Sequence, residues 1–412
     1  MYFIYEVLGL ILLILSPIII FFRVLLGKED PKRFVEKYCI YQQKPKYKKV
    51  IWVHGASVGE ILSVVPLIKK LEKNKKIKKI LITSSTTSSA IVFDKYKFKK
   101  TIHKYFPIDI NYFSKKFINH WKPKLAIFVE SEIWPNMFRN LYFNQIPIVL
   151  LNARITKKSF YNWKKFPNFS KNLFNKISLA MPQNFETLKY LKNLGVKNIK
   201  ISGNLKFIGE KKYKKINLKF KNKFKNRDTW CAASIHPKEE LFVGKVHKKM
   251  KLINRNLLTI IIPRHINKSE NIINNLKKIG LKTVTHSSSN KINKDTDIYL
   301  VDTYGETKNF YKLSKITFLG GSLIPHGGQN PLEPARLGNY IIHGKNVENF
   351  KEVYDTLKNL NISSKVDSVN KMQKIITKKI YYKQSKFIKQ KLYLIGKKIL
   401  IKNFFEINKY IK

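Results

Sequence analysis

Only 26 of the 412 residues are acidic. Several of these stand where an apolar strand gives way to a turn, the place where parallel α/β sheets hold their ligands. In HGASVGE (54–60), Gly55 and Gly59 open the turn and Glu60 falls at the start of a helix. The helix dipole there favours the ionised carboxylate, the form a general base needs before it accepts a proton. The same spacing also suits a capping glutamate. Glu130-Ser131-Glu132 ends another strand and precedes Ile133-Trp134-Pro135-Asn136. Two acids facing a cleft suggest a site, unless one of them caps the following helix. Asn152-Ala153-Arg154 puts a scarce arginine at a further strand end, for a site or for a structural ion pair. Gly203-Asn204-Leu205-Lys206 brings a lysine to the same edge.

Residues 316–336, ITFLGGSLIPHGGQNPLEPAR, carry a different chemistry. A buried strand, a turn at Gly320 and Gly321 and a loop at Gly327 and Gly328 lead to a helix start. Asn330 stands at the N-cap, Pro331 at the first helical position and Glu333 in the first turn. Glycines let a ligand approach the backbone, and a helix N-terminus offers N–H groups and positive dipole to an anion. Glu333 can hold sugar hydroxyls beside a bound phosphate, so the segment is expected to handle a nucleotide. Pro263-Arg264-His265 closes a very apolar strand and can face a base or a phosphate. His236-Pro237 with Glu239 and Glu240 is weaker, and a helix start alone would explain it. Asp295-Thr296-Asp297 matches the D-x-D of metal-dependent sugar-nucleotide enzymes, but it lies between a polar loop and a strand and is read as a turn. No Walker loop, GxSxG elbow or HExxH occurs, which argues against an NTPase, a serine hydrolase and a zinc protease.

The elements that must position these residues alternate. Strands are expected at 48–54, 78–85, 123–131 and 146–154, with shorter pieces at ISLAMPQ and NIKISGN. After a lysine-rich break the rhythm resumes with DTWCAASI, LLTIIIPRH, LKTVTH, DIYLVDT, KITFLGGS and NYIIHG. This βαβα order predicts doubly wound parallel sheets in an α/β fold: two Rossmann-like halves with a ligand cleft at the carboxyl ends of the strands. The expected divisions are a membrane anchor at 1–27, an N-terminal domain at 28–206, a linker at 207–228, a C-terminal domain at 229–385 and a basic helical end at 386–412.

Within the anchor, no charge occurs from Val7 to Phe22, close to the roughly 20 apolar residues that a membrane span needs. A cleaved signal peptide is not expected, because no positive stretch precedes the apolar core and no small-residue cleavage site follows it. Arg23, Lys28, Lys32 and Arg33 come after it and assign the rest of the chain to the cytoplasm. Pro17 would kink the helix. Whether it spans or lies half-buried stays open. The net charge of +55 points on its face to nucleic acid or an anionic surface. Yet only 8 of the 81 basic residues are Arg, and the abundant Lys, Asn and Ile share A/T-rich codons. The lysines are spread along the chain and no nucleic-acid-binding motif is present, so anionic lipid head groups are the expected partner and nucleic acid is not. Cys39 and Cys231 lie far apart, in no metal-ligand spacing, as suits a reducing compartment.

Together, the apolar N-terminus, HGASVGE, ESEIWPN, LNARIT, GNLKF, PRH, the GE at 305–306 and GGSLIPHGGQNPLEPA resemble the Kdo (3-deoxy-D-manno-octulosonic acid) transferases of lipopolysaccharide assembly. The resemblance runs in order to about residue 355 and leaves out the linker and the C-terminal tail. It implies a GT-B fold with a C-terminal helix crossing back to the N-terminal domain. The activity it implies is transfer of Kdo from CMP-Kdo to the lipid A precursor at the cytoplasmic face of the inner membrane, with inversion and with no bound metal or other cofactor. By the same resemblance Glu60 is the general base, and Glu130 and Lys206 stabilise the transition state. Pro263, Arg264, Tyr304, Gly305, Glu306, Asn330, Pro331, Leu332 and Glu333 bind CMP. Gln329 stands where the family usually has His, and it cannot carry charge or shuttle a proton. Another GT-B enzyme using a UDP-sugar would share the fold and the glycine loop without HGASVGE and ESEIWPN. A non-catalytic lipid- or nucleic-acid-binding protein would have no need of Glu60.

Overall fold

Val50 to Val53 alternate between two faces of a sheet, and all four side chains are buried. Val50 and Trp52 join one apolar cluster, Ile51 and Val53 another. Cover on both faces is why such runs are apolar throughout instead of alternating with polar residues. In the computed structural model, which describes residues 1–41, 50–209, 218–288 and 291–411, this segment is the centre of a six-stranded parallel sheet. Its strands are β1 (Val50–His54), β2 (Ile80–Ser84), β3 (Thr101–Tyr105), β4 (Pro123–Val129), β5 (Ile148–Ala153) and β6 (Leu179–Pro182), in the order β3-β2-β1-β4-β5-β6. The order reverses between β1 and β4, and open α/β sheets bind their ligands at the carboxyl ends of strands at such a switch.

The second sheet has seven parallel strands: β7 (Asp228–Ile235), β8 (Leu257–Pro263), β9 (Thr283–Thr285), β10 (Ile298–Leu300), β11 (Ile316–Leu319), β12 (Tyr340–His343) and β13 (Ser363–Lys365). They lie in the order β13-β12-β11-β7-β8-β10-β9, which places the switch between β7 and β11. The chain divides into two units, Met1–Ile208 with Ile395–Lys412, and Gly209–Leu394. The last helix, Lys386–Asn408, thus gives its final turns to the first unit. There Ile407 and Ile411 bury against Ile61, Leu67 and Leu71, and Glu406 pairs with Lys200 at 2.8 Å.

Three details differ from expectation. β3 and β13 are additional strands, and NIKISGN makes only a single bridge, Ile199 to Ala180. The run 207–228 carries a helix, Leu218–Asn222, and Asp228 already begins β7. Residues 210–217 of that run lie outside the described ones.

The N-terminal helix, Tyr2–Leu25, rests on the first unit along one stripe. The Tyr5 hydroxyl donates to Asp109 at 2.9 Å, a Cβ on Gly9 would stand 2.7 Å from Ile110, and Ser16 bonds the Tyr38 hydroxyl at 2.6 Å. Ile20 continues the stripe and is buried. Spacings of four and seven residues keep these positions on one face. The remaining faces leave Phe3, Leu8, Ile14, Ile18, Phe21 and Leu25 exposed.

Candidate active site

At the switch of the first sheet Ser57 caps the helix Val58–Glu72, its Oγ accepting the Glu60 N–H at 3.4 Å. The Glu60 carboxylate reaches back to accept the Ala56 N–H at 2.7 Å and the Ser57 hydroxyl at 2.8 Å. This is a capping box drawn one residue further out, so the capping reading is realised in the geometry. It does not exhaust the residue. Burial, and after it the charge of Glu132, outweighs the bonds from Ser57 and Ala56 and pushes the Glu60 carboxyl up to about 7, with Glu130 adding to the rise. The expectation that the helix dipole would favour the ionised form is therefore corrected: desolvation and like charge prevail here. A carboxyl that titrates near neutrality is suited to taking a proton from a substrate.

The two acids after β4 do different work. Glu132 accepts from Trp134 Nε1 at 3.0 Å and lies 3.2 Å from Nε2 of the fully buried His54. Glu130, in the left-handed region at φ 59°, lies 2.5 Å from Lys206 Nζ and receives the Asn152 amide at 3.4 Å. Neither caps the next helix, Pro135–Phe143. Its first amides, Asn136 and Met137, donate to Asp109 at 3.1 and 2.8 Å. That acid comes from the loop after β3 and had no signal in the sequence.

Asn152 is the extra residue of a register shift between Leu151 and Ala153, with φ 53°. Such bulges re-aim side chains beside functional sites. Its Oδ1 accepts the Leu205 N–H at 2.9 Å and its carbonyl accepts Gln183 Nε2 at 2.9 Å, while Gln183 Oε1 accepts the Asn204 amide at 2.9 Å. This buried chain of amides fixes the turn Leu205–Phe207 and, through it, Lys206. Gln183 was missed by sequence reading; a polar residue closing an apolar strand was the available sign. Arg154 gives its backbone N–H to the Glu130 carbonyl at 3.3 Å.

In the second sheet one carboxylate governs the switch. Glu239, 2% exposed, accepts the backbone N–H groups of His236 (3.0 Å), Gly321 (2.7 Å), Ser322 (3.2 Å) and Leu323 (3.1 Å). The amides that the Gly320-Gly321 turn would offer to an anion are thus held by the chain's own acid. Glu239 thus does more than start a helix, the role that alone would have explained it in the sequence. Gly320 is needed for the fit, since a Cβ there would stand 2.4 Å from the Ser234 carbonyl oxygen.

Pro263 is buried at the end of β8 and leaves Arg264 exposed, with its N–H on the Ile235 carbonyl at 3.0 Å. The His236 ring lies 4.2 Å from that of His326 and 6.3 Å from that of His265. Burial, then the charges of His326, His265 and Arg264, hold His236 down at about 4, so it is neutral at physiological pH. Its Nε2 is buried without a hydrogen-bond partner.

Asn330 Oδ1 accepts the Leu332 N–H at 3.1 Å, but Pro331 and not Asn330 stands at the N-cap. The helix begins at Leu332, one residue later than expected, and runs only to Leu337. With its first amide engaged and so few turns, it offers an anion less than the sequence suggested. Leu332 is fully buried and presents only backbone. Glu333 lies 3.4 Å from Lys308, in the helix Thr307–Leu313 that follows the Tyr304-Gly305-Glu306 turn. In that turn Tyr304 is exposed, Gly305 has φ 95°, and Glu306 pairs with His286 Nε2. The helix after the turn thus reaches Glu333, and Arg264 lies close enough to His236 for its charge to act there. Asp297 is taken by His247, Lys251 and the Lys282 N–H, and Asp295 by the Lys282 side chain. Among the described residues no group of three His, Cys, Asp or Glu could hold a metal ion.

The family model of 3-deoxy-D-manno-octulosonic-acid transferase (kdotransferase) matches residues 32–208. The 3-deoxy-D-manno-octulosonic acid transferase of Rickettsia bellii is 33% identical over 380 residues, covering 90% of this chain and 90% of its own length. That of Haemophilus influenzae is 32% identical over 356 residues, covering 84% and 83%. Among solved structures, UDP-GlcNAc 2-epimerase from Neisseria meningitidis is similar with a TM-score of 0.56 at 12% identity, over 88% of this chain and 99% of its own. That likeness concerns the fold alone, and the fold is GT-B-like. With one third of its residues shared over nine-tenths of its length, the chain belongs to the 3-deoxy-D-manno-octulosonic acid (Kdo) transferase family.

Proposed function

We propose that this Kdo transferase moves Kdo from CMP-Kdo to a hydroxyl of the lipid A precursor, with inversion, at the cytoplasmic face of the inner membrane. The observation that carries the reading is Glu60, a carboxyl at the β1–β4 switch whose burial drives it up to about 7. The acceptor oxygen attacks the anomeric carbon of Kdo while the bond from that carbon to the CMP phosphate oxygen breaks. CMP leaves with the electron pair, and Glu60 takes the hydroxyl proton. Attack from the face opposite the leaving group inverts the centre. Kdo bears its own carboxylate and CMP departs as an anion, so cations lower the barrier. Lys206 supplies one, oriented by Glu130. Pro263 and Arg264, the Tyr304-Gly305-Glu306 turn and the stretch Asn330, Pro331, Leu332, Glu333 hold CMP, with Arg264 toward the phosphate and Glu333 toward the sugar hydroxyls. The exposed apolar faces of the N-terminal helix enter the lipid, and the basic surface attracts anionic head groups.

CMP release from CMP-Kdo in the presence of a tetra-acylated disaccharide-1,4′-bisphosphate acceptor tests the reading, and the product mass counts the sugars added. Acceptor-dependent release is expected. No release from folded, membrane-bound protein would refute it and direct the search to other nucleotide sugars.

If Glu60 must be ionised to act, kcat should climb about tenfold per pH unit below about 7 and level off above it. Stability runs the other way. A carboxyl raised in the folded state stabilises the fold most below its ordinary value near 4.5 and loses that contribution as pH rises through 7. The thermal stability of Glu60→Gln relative to the parent protein should therefore improve across that window.

Lys206→Met leaves the Glu130 carboxylate, 9% exposed, without its cation. A loss of about 3 kcal/mol is expected in chemical denaturation, at the lower end for a broken buried pair because Lys206 keeps some solvent contact. The double variant Glu130→Gln/Lys206→Met should regain most of that stability and none of the transfer. Recovery of transfer in the double variant would remove both residues from the mechanism.

A further inference from the structure

Beside the amino end of the N-terminal helix the first unit has a cavity of about 250 Å³ lined by Tyr2, Arg139, Tyr142, Phe143, Asn172 and Lys176, among others. It is built on the helix Pro135–Phe143 and on the end of the helix Pro167–Phe174 with the turn that follows. No residue assigned above to catalysis or to CMP lines it. Arg139 stacks 5.3 Å from the Tyr2 ring and 5.7 Å from the Phe143 ring. Lys176 Nζ is tethered to the Asn172 carbonyl at 2.7 Å and to its side-chain oxygen at 2.5 Å, and lies 5.4 Å from the Tyr142 ring. No carboxylate forms an ion pair with either cation among the described residues. Burial, and then Arg139 itself, depress the Lys176 ammonium below its usual range. Two half-buried cations that repel each other, with no acid between them, form a site that an anion would stabilise.

The surroundings indicate which anion. Tyr2 begins the helix whose exposed faces carry Phe3, Ile4, Leu8 and Ile11, and Tyr142 and Phe143 are more than half exposed at the rim. Aromatic rings around a cationic pocket, next to an apolar helix, are what the head-group level of a bilayer selects. The cavity is smaller than the ~300 Å³ at which pockets begin to enclose a drug-sized ligand, and it suits a head group alone.

We propose that this cavity binds the phosphate of an anionic membrane phospholipid and thereby sets the height and rotation of the first unit on the bilayer. The proposal rests on the membrane seat of the N-terminal helix given above, and the test separates the two. Full-length protein is co-sedimented with vesicles of phosphatidylcholine alone and with vesicles that also contain phosphatidylglycerol. Binding of the parent protein to neutral vesicles reports on the helix; its absence from every vesicle would overturn the seat and the cavity site together. Arg139→Gln/Lys176→Gln should bind neutral vesicles like the parent but lose about thirtyfold on anionic ones, from roughly a fivefold loss at each of two surface charges. Arg139→Lys keeps the charge but not the planar fork and should lose about threefold. Lys75→Gln/Lys76→Gln, beyond the helix that covers the opposite face of the sheet, should lose less than twofold. Equal losses from the two double variants, or no loss from Arg139→Lys, would mean diffuse attraction and overturn the site. In detergent micelles free of phospholipid, the KM for the lipid acceptor should be the same in parent and double variant. A raised KM would assign the phosphate to the acceptor and overturn the phospholipid assignment.

Discussion

Glu60→Gln should lower the rate of Kdo transfer by roughly 10²- to 10⁴-fold, the range that a positioned general base contributes, while the first unit keeps its fold. Glutamine is the informative substitution because Glu60 is also part of a cap. Its carbonyl oxygen can still accept the Ala56 N–H, and its amide can donate to Ser57 Oγ, so both bonds seen with the carboxylate have replacements. Alanine would remove them and cost about 0.5–2 kcal/mol as a lost cap, mixing stability with chemistry. If Glu60 only capped the helix, the glutamine variant would be nearly as active as the parent. A true base also leaves a second mark. The acidic limb of the pH profile near 7 should vanish in Glu60→Gln, because the carboxyl that produces it is gone. Glu132 is tied to His54 and Trp134, and Glu130 to Lys206 and Asn152. Steady-state rates from pH 5 to 9 on both proteins, with unfolding midpoints measured alongside, would settle the matter. A retained limb in the variant would exclude Glu60 as its source.

Much of this arrangement can be read from the chain, and what cannot has a physical reason. β1 and β8 are buried along their whole length, and apolar but for His54 and Thr259, because both faces are covered, and such runs stand out. β3, TIHKY, and β13, SSK, lie at or near the sheet margins with polar side chains partly in water, so they carry no comparable run. NIKISGN has the pattern of a strand but forms one bridge, and its last residue, Asn204, caps the turn Leu205–Phe207 that carries Lys206. Glu130 announces itself by following a strand and Glu60 by the turn between a strand and a helix, whereas Lys206 follows a segment that only resembles a strand. What positions them does not: the Asn152 bulge depends on pairing with β6, and Asp109 caps a helix 27 residues away. Glu239 is the clearest case. In HPKEE it looks like any acid in a first turn, and its role appears only when residues 82 to 84 positions further on fold back over it.

That role makes Glu239 the residue whose loss should damage the second unit most. Glu239→Ala strands four backbone donors, three of them buried and that of Leu323 partly so, at roughly 1–3 kcal/mol each. The expected destabilisation is about 4–12 kcal/mol, enough to unfold most domains of ordinary stability. Glu239→Gln should fall between that and the parent, because its amide would present further donors to amides that need acceptors. The same geometry predicts a rescue. In the alanine variant the amides of His236, Gly321, Ser322 and Leu323 would line a vacated concavity of the kind that binds oxyanions. Sulfate or phosphate should therefore raise the melting temperature of Glu239→Ala, with a saturable dependence on concentration, and do little for the parent, whose own carboxylate already fills the place. Chloride at matched ionic strength is the control for screening, which matters in a chain with a net charge of +55. An equal effect of chloride, or an alanine variant as stable as the parent, would show that these amides find other acceptors. In the native protein the glycine turn beside the switch is thus a joint locked by an internal anion, and its amides have no free donor to offer a phosphate.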